Sequence, residues 1–383
     1  MSDIRRLHII CFDQPFPPTY GGIVDVFYKI VALQKAEVQL VLHIFGGVGS
    51  KPSKELEKYA REIYYYPIMR NKWLFLSPVP YFIRQRKSRK LLKNLLLDND
   101  PILFEGVHTC GIIDDPSLRS RLKIVRAHNV ERDYYWALAK EAGWGKRKAI
   151  LATEAFKLRL KEKYFLSFAD RILALSVSDA QYFKNCFPTK DIRVLNCFFD
   201  VPELPIASNT PIIDGDYVLY HGNLQIPENE RSACYILETI SPHLGPEIKI
   251  VIAGHNPSSR LESKIAANSS ARLLKNPSMS EMRNLVYYAK VHLMLTFQAT
   301  GAKLKILNTL ASSNGFCVAN DYMLTGNRLS ELCLVANEEE EIVTTVKCCY
   351  FEPGPVGDEV ICIRRDSLKA LGYNDVRAIL MDC

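Results

Sequence analysis

Two stretches place polar side chains where apolar runs end. Arg126-Ala127-His128-Asn129-Val130-Glu131 follows an apolar run that begins at Lys123. Four polar groups at the carboxyl end of a strand do not continue a core, and in a parallel α/β sheet that edge carries the loops that do chemistry. His128 offers an imidazole to a reacting group, with Arg126, Asn129 and Glu131 on the acceptor side. The bland alternative is a hydrogen-bonded packing histidine. Glu105-Gly106-Val107-His108, after the preceding strand, is a weaker version of the same constellation.

The second stretch is Thr296-Phe297-Gln298-Ala299-Thr300-Gly301-Ala302-Lys303-Leu304-Lys305-Ile306-Leu307-Asn308. It reads as a strand end, a glycine turn and a helix from about Lys303. Two lysines at a helix start oppose the helix dipole, so a negative group should compensate, and a diphosphate does so well. Lys303 and Lys305 are two apart and face different ways, so one of them at most need touch it. A solvated lysine pair is the alternative.

Glycines mark three further turns. Pro15-Phe16-Pro17-Pro18-Thr19-Tyr20-Gly21-Gly22 joins a strand to a helix, where Gly21 and Gly22 either let backbone approach an anion or serve a tight turn. Asp25, just beyond, either holds a sugar hydroxyl or favours the positive end of the helix. Tyr220-His221-Gly222-Asn223 ends another strand. There Gly222 permits close approach and Asn223 offers both donor and acceptor, whereas Glu228 and Glu230 start a helix. Gly254 ends the next strand.

These loops need strands and helices to hold them. Apolar runs at 7–12, 38–45, 63–68, 102–105, 124–128, 172–176 and 194–199 read as one set of strands. Runs at 218–221, 248–253, 292–297, 316–319 and 332–336 read as a second. Several are apolar on both faces and alternate with helical patterns, which predicts parallel βαβ winding. Pro202, Pro205 and Pro211, among polar residues ending at Asp214-Gly215-Asp216, predict a linker. The expected domains are 1–205 and 206–383, with the last helix free to pack back on the first.

With 383 residues, 24% charged and 48% apolar, the chain has room for two cores and excludes disordered, collagen-like and coiled-coil classes. A net charge of +7 suits an anionic ligand or surface and falls short of a nucleic-acid footprint. Eleven cysteines, an odd number without CxxC or zinc spacing, read as free thiols in a reducing compartment. No signal peptide or spanning segment is legible, which predicts a cytoplasmic chain, either soluble or peripheral at the inner membrane face. The peripheral expectation rests on 84–93, with Arg84, Arg86, Lys87, Arg89, Lys90 and Lys93. Trp73, Leu74, Phe75 and Leu76 lie just upstream, and no acid occurs from Arg70 through Leu97. Basic groups beside apolar anchors suit an anionic bilayer, and a solvated basic helix is the alternative.

Taken in order, these segments resemble the retaining GT-B glycosyltransferases often called group 1 or family 4. Thr300-Gly301-Ala302-Lys303-Leu304-Lys305-Ile306-Leu307 looks like that family's Gly-x-Lys-x-Lys-x-Leu-Glu donor loop, and Ala253-Gly254-His255-Asn256-Pro257 like its strand end below the donor base. The resemblance implies two doubly wound Rossmann-like α/β domains facing a central cleft. It implies a hexosyltransferase-type enzyme that moves a sugar from a nucleotide sugar to a glycan or lipid-linked acceptor, with no metal or other cofactor and no nucleic-acid partner. By the same resemblance His128 contacts the transferred sugar, and Gly21, Gly22, Gly222, Asn223, Gly254, Thr300, Gly301, Lys303, Lys305 and Asn308 surround the donor. Asp25, Glu105, His108, Arg126, Asn129 and Glu131 fall on the acceptor side. The family's ribose carboxylate would fall at Asn308 and its earlier partner at Thr300, and Asn223 and Glu228-Asn229 stand where basic diphosphate ligands are common. A non-catalytic nucleotide-sugar or partner binder is therefore the rival reading; an epimerase or phosphorylase is the third.

Overall fold

The computed structural model describes residues 4–18, 20–46, 52–142, 144–204, 210–298, 303–326, 328–353 and 358–381. The chain forms two compact units, Met1–Phe199 with Gly372–Cys383, and Asp200–Leu371. The expected division at 205/206 thus lies six residues past the observed change. Asp200 pairs with Arg283 at 2.5 Å and the Pro202 carbonyl accepts from Arg365, so the segment after Phe199 is tied to the second unit.

The first unit holds a parallel sheet in the order β3-β2-β1-β4-β5-β6-β7. Its strands are β1 (Arg6–Cys11), β2 (Gln39–Gly46), β3 (Glu62–Pro67), β4 (Ile102–Glu105), β5 (Lys123–Ala127), β6 (Arg171–Ala174) and β7 (Asp191–Val194). The second holds β10-β9-β8-β11-β12-β13. These are β8 (Val218–Asn223), β9 (Ile250–His255), β10 (Ala271–Lys275), β11 (Val291–Met294), β12 (Phe316–Ala319) and β13 (Leu334–Val335). In both sheets the strand order reverses beside the first strand, between β1 and β4 and between β8 and β11. Loops leaving the carboxyl ends at such a reversal form a crevice that favours ligands.

Sheets covered on both faces need strands apolar on both faces, and β1 and β4 are buried along nearly their whole length. The helix Gly21–Lys35 buries Ile23, Val26, Phe27, Ile30 and Leu33, a three-and-four spacing that lays one stripe on the sheet. Two expectations fail. The run at 194–199 is not the last strand, which is β7 at Asp191–Val194; the apolar residues beyond it are buried, but the Phe198 and Phe199 N–H groups go to the Asp25 and Asn374 side chains instead of a ladder. β10 went unread because its sequence, Ala-Arg-Leu-Leu-Lys, is a half-exposed sheet edge. The ten described cysteines carry no disulfide.

A hydrogen-bonded chain runs sideways across β3, β2 and β1. The Asn94 amide donates to the Tyr66 hydroxyl at 2.8 Å, which donates to His43 Nδ1 at 2.8 Å. His43 Nε2 donates to His8 Nδ1 at 2.9 Å, and His8 Nε2 to the Asp98 carboxylate at 2.9 Å. With a carboxylate at one end, only one tautomer of each ring satisfies every link. Both rings are buried, which lowers their pKa, His43 to about 3.

Candidate functional site

In the first unit, β1, β4 and β5 deliver their carboxyl ends to one polar cluster. The helix after β1 places Asp25 and Lys29 one turn apart. Lys29 Nζ lies 3.0 Å from Asp25 Oδ2 and 2.8 Å from Glu105 Oε1, all three buried. His128 Nε2 is 3.2 Å from Glu105 Oε2, and its Nδ1 is 3.9 Å from Asp25 Oδ2. Burial is the largest single effect and pushes both carboxyls up, but Lys29 and the groups around it together outweigh it for each. Arg126, His128 and the Phe198 N–H hold Asp25 well below the usual range, and the His128 hydrogen bond adds to the lowering at Glu105. Asp25, Glu105 and His128 have the atom types and spacing of a metal site. The Lys29 ammonium, bonded to both carboxylates, already supplies the cation there.

Four acceptor-side expectations change. Arg126 does not face an opening: it is fully buried and donates to the carbonyls of Ala174, Leu195 and Asn196. Asp25 and Glu105 are buried with their oxygens committed to Lys29, His128 and the Phe198 N–H, so they position His128 and leave no atom for a sugar hydroxyl. Glu131 is buried against Glu162, which accepts its N–H at 2.8 Å; burial, then the Glu162 charge, pushes Glu131 to about 8, and burial pushes Glu162 to about 7. Asn129 bonds the Glu131 carboxyl. His128 keeps a solvent-facing edge, at 12% side-chain exposure.

His128 is not the sole imidazole here. Phe12 packs against both the His108 and His128 rings at 5.6 Å, and Phe82 stacks on His108 at 4.3 Å. Gly106 has a φ of +72°, and a Cβ there would meet His108 Nδ1 at 3.0 Å and His128 Cδ2 at 3.5 Å. Burial, with Arg86 and His128 nearby, holds His108 well below its ordinary pKa, and its Nδ1 has no partner among the described residues. Gly21 and Gly22 open their helix as expected; a Cβ on Gly22 would crowd Phe12 at 3.2 Å.

Arg86 corrects the reading of the basic stretch. It is buried, donating to the Phe12 carbonyl at 2.8 Å and to the Phe82 carbonyl at 2.8 Å, so it braces the loop after β1. The stretch is not one helix: Tyr81–Arg84 and Arg89–Leu95 are separate, the second capped by Ser88.

In the second unit the loops after β8 and β11 meet the helix Leu304–Ser312. Lys303 caps that helix and donates to the Gln298 carbonyl at 2.6 Å. Lys305 donates to the Tyr220 hydroxyl at 3.2 Å, the Asn229 Oδ1 at 3.3 Å and the Leu295 carbonyl at 3.4 Å, and lies 4.7 Å over the Tyr220 ring. All its partners are neutral. Burial, then the Lys303 charge, lowers it to about 7 against the pull of Glu228. Glu228 accepts from Thr296 Oγ1 at 3.0 Å and the Phe297 N–H at 2.5 Å, so it shapes the loop after β11. The sequence showed it only as a helix-start acid. Asn308 is half-buried, and its Oδ1 has no partner among the described residues. Thr300 and Gly301 lie outside the described residues.

Asn223 and Gly222 lie at the end of β8. The Asn223 side chain accepts from the Gln225 N–H, and the Asn223 carbonyl from the Asn229 amide. Gly254 serves the sheet: it pairs with Gly222 in register, and a Cβ there would lie 1.9 Å from the Gly222 carbonyl oxygen. Its missing side chain is required by strand packing, whether or not a ligand comes near.

Comparison with solved structures decides the fold. The chain superposes on a sucrose-phosphate synthase from Thermosynechococcus elongatus with a TM-score of 0.65 at 14% identity, covering 98% of this chain and 96% of that one. The fold is GT-B. Other GT-B neighbours are the lipopolysaccharide outer core galactosyltransferase WaaB, at TM-score 0.63 and 13% identity over 98% and 99% of the two chains, and Anabaena HepE in complex with UDP and glucose, at 0.63 and 11% over 96% and 97%. Among curated proteins, an uncharacterised 44.6 kDa protein of the Klebsiella pneumoniae cps region is 23% identical over 355 residues, 88% of each chain. No family model matches the chain.

Proposed function

We propose that this chain is a glycosyltransferase that moves a sugar from a nucleotide-activated donor to a glycan or lipid-linked acceptor with retention. The observation that carries this is Lys305. It is a half-buried ammonium at the strand-order reversal of the second unit, bonded among the described residues to neutral groups alone. A diphosphate would give it the counter-charge it lacks, and Lys303 adds a second cation. As the bond between sugar and diphosphate breaks, negative charge grows on the leaving phosphate, and such fixed cations stabilise it. The neighbours named above are sugar transferases and a protein seen with UDP and glucose, in keeping with this donor class.

The other roles follow. Asn308 Oδ1 takes a ribose hydroxyl in place of a carboxylate, at a smaller gain than a charged acceptor provides. Gly222 and Asn223, at the end of β8, lie along the donor. His128, oriented by Glu105, contacts the transferred sugar, and Asn129 lies on the acceptor side.

A panel of nucleoside diphosphates and their sugars, followed by calorimetry and donor hydrolysis, tests this. Lys305→Ala should weaken nucleoside diphosphate binding about ten- to hundredfold, as expected for a charge-assisted phosphate contact. If Lys303→Ala and Lys305→Ala both bind like wild type, the donor assignment is wrong. Diphosphate binding with no sugar released or transferred would leave only a binding protein.

A further inference from the structure

The helix Lys146–Ser167 carries more apolar surface on its outside than a solvated helix needs. Its inward face is complete: Ala155, Leu158, Phe165 and Leu166 are buried. Yet Phe156, Leu160, Tyr164 and Phe168 recur every four residues along the outside, with Phe156 and Leu160 61% and 60% exposed. A four-residue repeat puts them on one stripe.

Charge on this helix is divided with equal clarity. Its only acids, Glu154 and Glu162, are both buried and point inward, where Glu154 accepts from the Tyr81 N–H and Glu162 from the Glu131 N–H. The exposed charged residues, Lys146, Arg147, Arg159 and Lys163, are all cations. Asp114, beside the stripe, is bonded by the Tyr164 hydroxyl. The 3-10 turn Lys72–Leu76 lies against the same helix, because Lys157 Nζ donates to the Phe75 carbonyl at 2.7 Å. That turn presents Trp73 and Leu76, 76% and 77% exposed.

We propose that the outer face of Lys146–Ser167, with Trp73 and Leu76, docks on an anionic lipid bilayer. Aromatic and aliphatic side chains flanked by lysine and arginine match an interface where acyl chains lie beneath anionic headgroups. A second copy of the chain is a poor occupant, because two such faces would oppose cation to cation. The assignment is independent of the donor site and moves the membrane contact away from Arg86, which is buried.

Flotation of the full chain with vesicles tests it. Wild type should float with vesicles containing phosphatidylglycerol at low salt, bind pure phosphatidylcholine far less, and detach as salt rises. Phe156→Glu with Leu160→Glu should weaken partitioning about a hundredfold. Ile363→Glu, at an exposed apolar position of the other unit, should float like wild type. Melting temperature and circular dichroism establish that both variants are folded. Failure of wild type to float with anionic vesicles at low salt, or equal flotation of the double variant, would overturn the proposal. So would a wild-type self-association that the double variant abolishes while lipid binding is absent, since the face would then belong to a second copy.

Discussion

Between pH 8 and 5 the chain of bonds from Tyr66 to Asp98 should cost the first unit stability that a variant without the His43 ring keeps. His43 is buried and neutral, its pKa lowered from 6.5 to about 3 by burial first and then by His8 and Arg121. A second proton on His43 would face the Tyr66 hydroxyl, which would then have to turn its own hydrogen away. The unfolded chain takes up that proton below 6.5 and the folded chain resists it until about 3, so stability is full above 6.5 and is lost as pH falls through this window. From those two values His43 alone costs about 2 kcal/mol at pH 5. That contribution alone is worth ~4–8 °C of Tm for a unit of this size. His8 is shifted the same way and adds to the loss. His43→Gln keeps one donor and one acceptor and cannot titrate. Urea unfolding of both proteins at the two pH values isolates the effect, because Glu131 and Glu162, raised to about 8 and 7 and so stabilising on acidification, contribute equally to both proteins and cancel in the difference. The variant should lose about 2 kcal/mol less than wild type on acidification. Equal losses in the two proteins would show that the buried ring does not carry the linkage.

Binding of a nucleoside diphosphate at pH 8 should take up a proton, because Lys305 titrates at about 7 in the free protein and a phosphate raises it; calorimetry in buffers of different ionisation enthalpy reads this, and Lys305→Ala should abolish it. His128→Ala should lower kcat far more than it weakens donor binding, since Lys29 still neutralises Glu105 and the network survives; steady-state kinetics with unchanged kcat would return His128 to a packing role. Gly254→Ala should destabilise the second unit by about 3 kcal/mol or more, measured by urea unfolding, because a Cβ meets the Gly222 carbonyl of the neighbouring strand.

Most strands could be read from the sequence because burial on both faces leaves continuous apolar runs, as at Ile102–Glu105 and Phe316–Ala319. Burial and pairing are separate properties, however. Leu195, Cys197, Phe198 and Phe199 are buried beyond the end of β7, and β10 pairs although it is half-exposed and broken by charge. The same distinction governs the site. Arg126 and Arg86 look like surface cations in sequence, but backbone carbonyls brought together by the fold draw both guanidinium groups inside. Lys29 and Glu105 are 76 residues apart, and no local pattern announces their contact. Lys303 and Lys305 were legible because a helix start opposes positive charge wherever it occurs.

The segment Gly372–Cys383 belongs to the first unit although the whole second unit precedes it in the chain. Ile379 is fully buried in the first unit's core, and its carbonyl accepts from Arg171 at 2.9 Å. During synthesis this segment leaves the ribosome only after residues 200–371. The first unit emerges first and is completed last, so the second can finish folding while the first still lacks part of its core. A chain ending at residue 371 should therefore present a protease-sensitive amino-terminal half beside a resistant second unit, reversing the usual order in which domains mature on the ribosome.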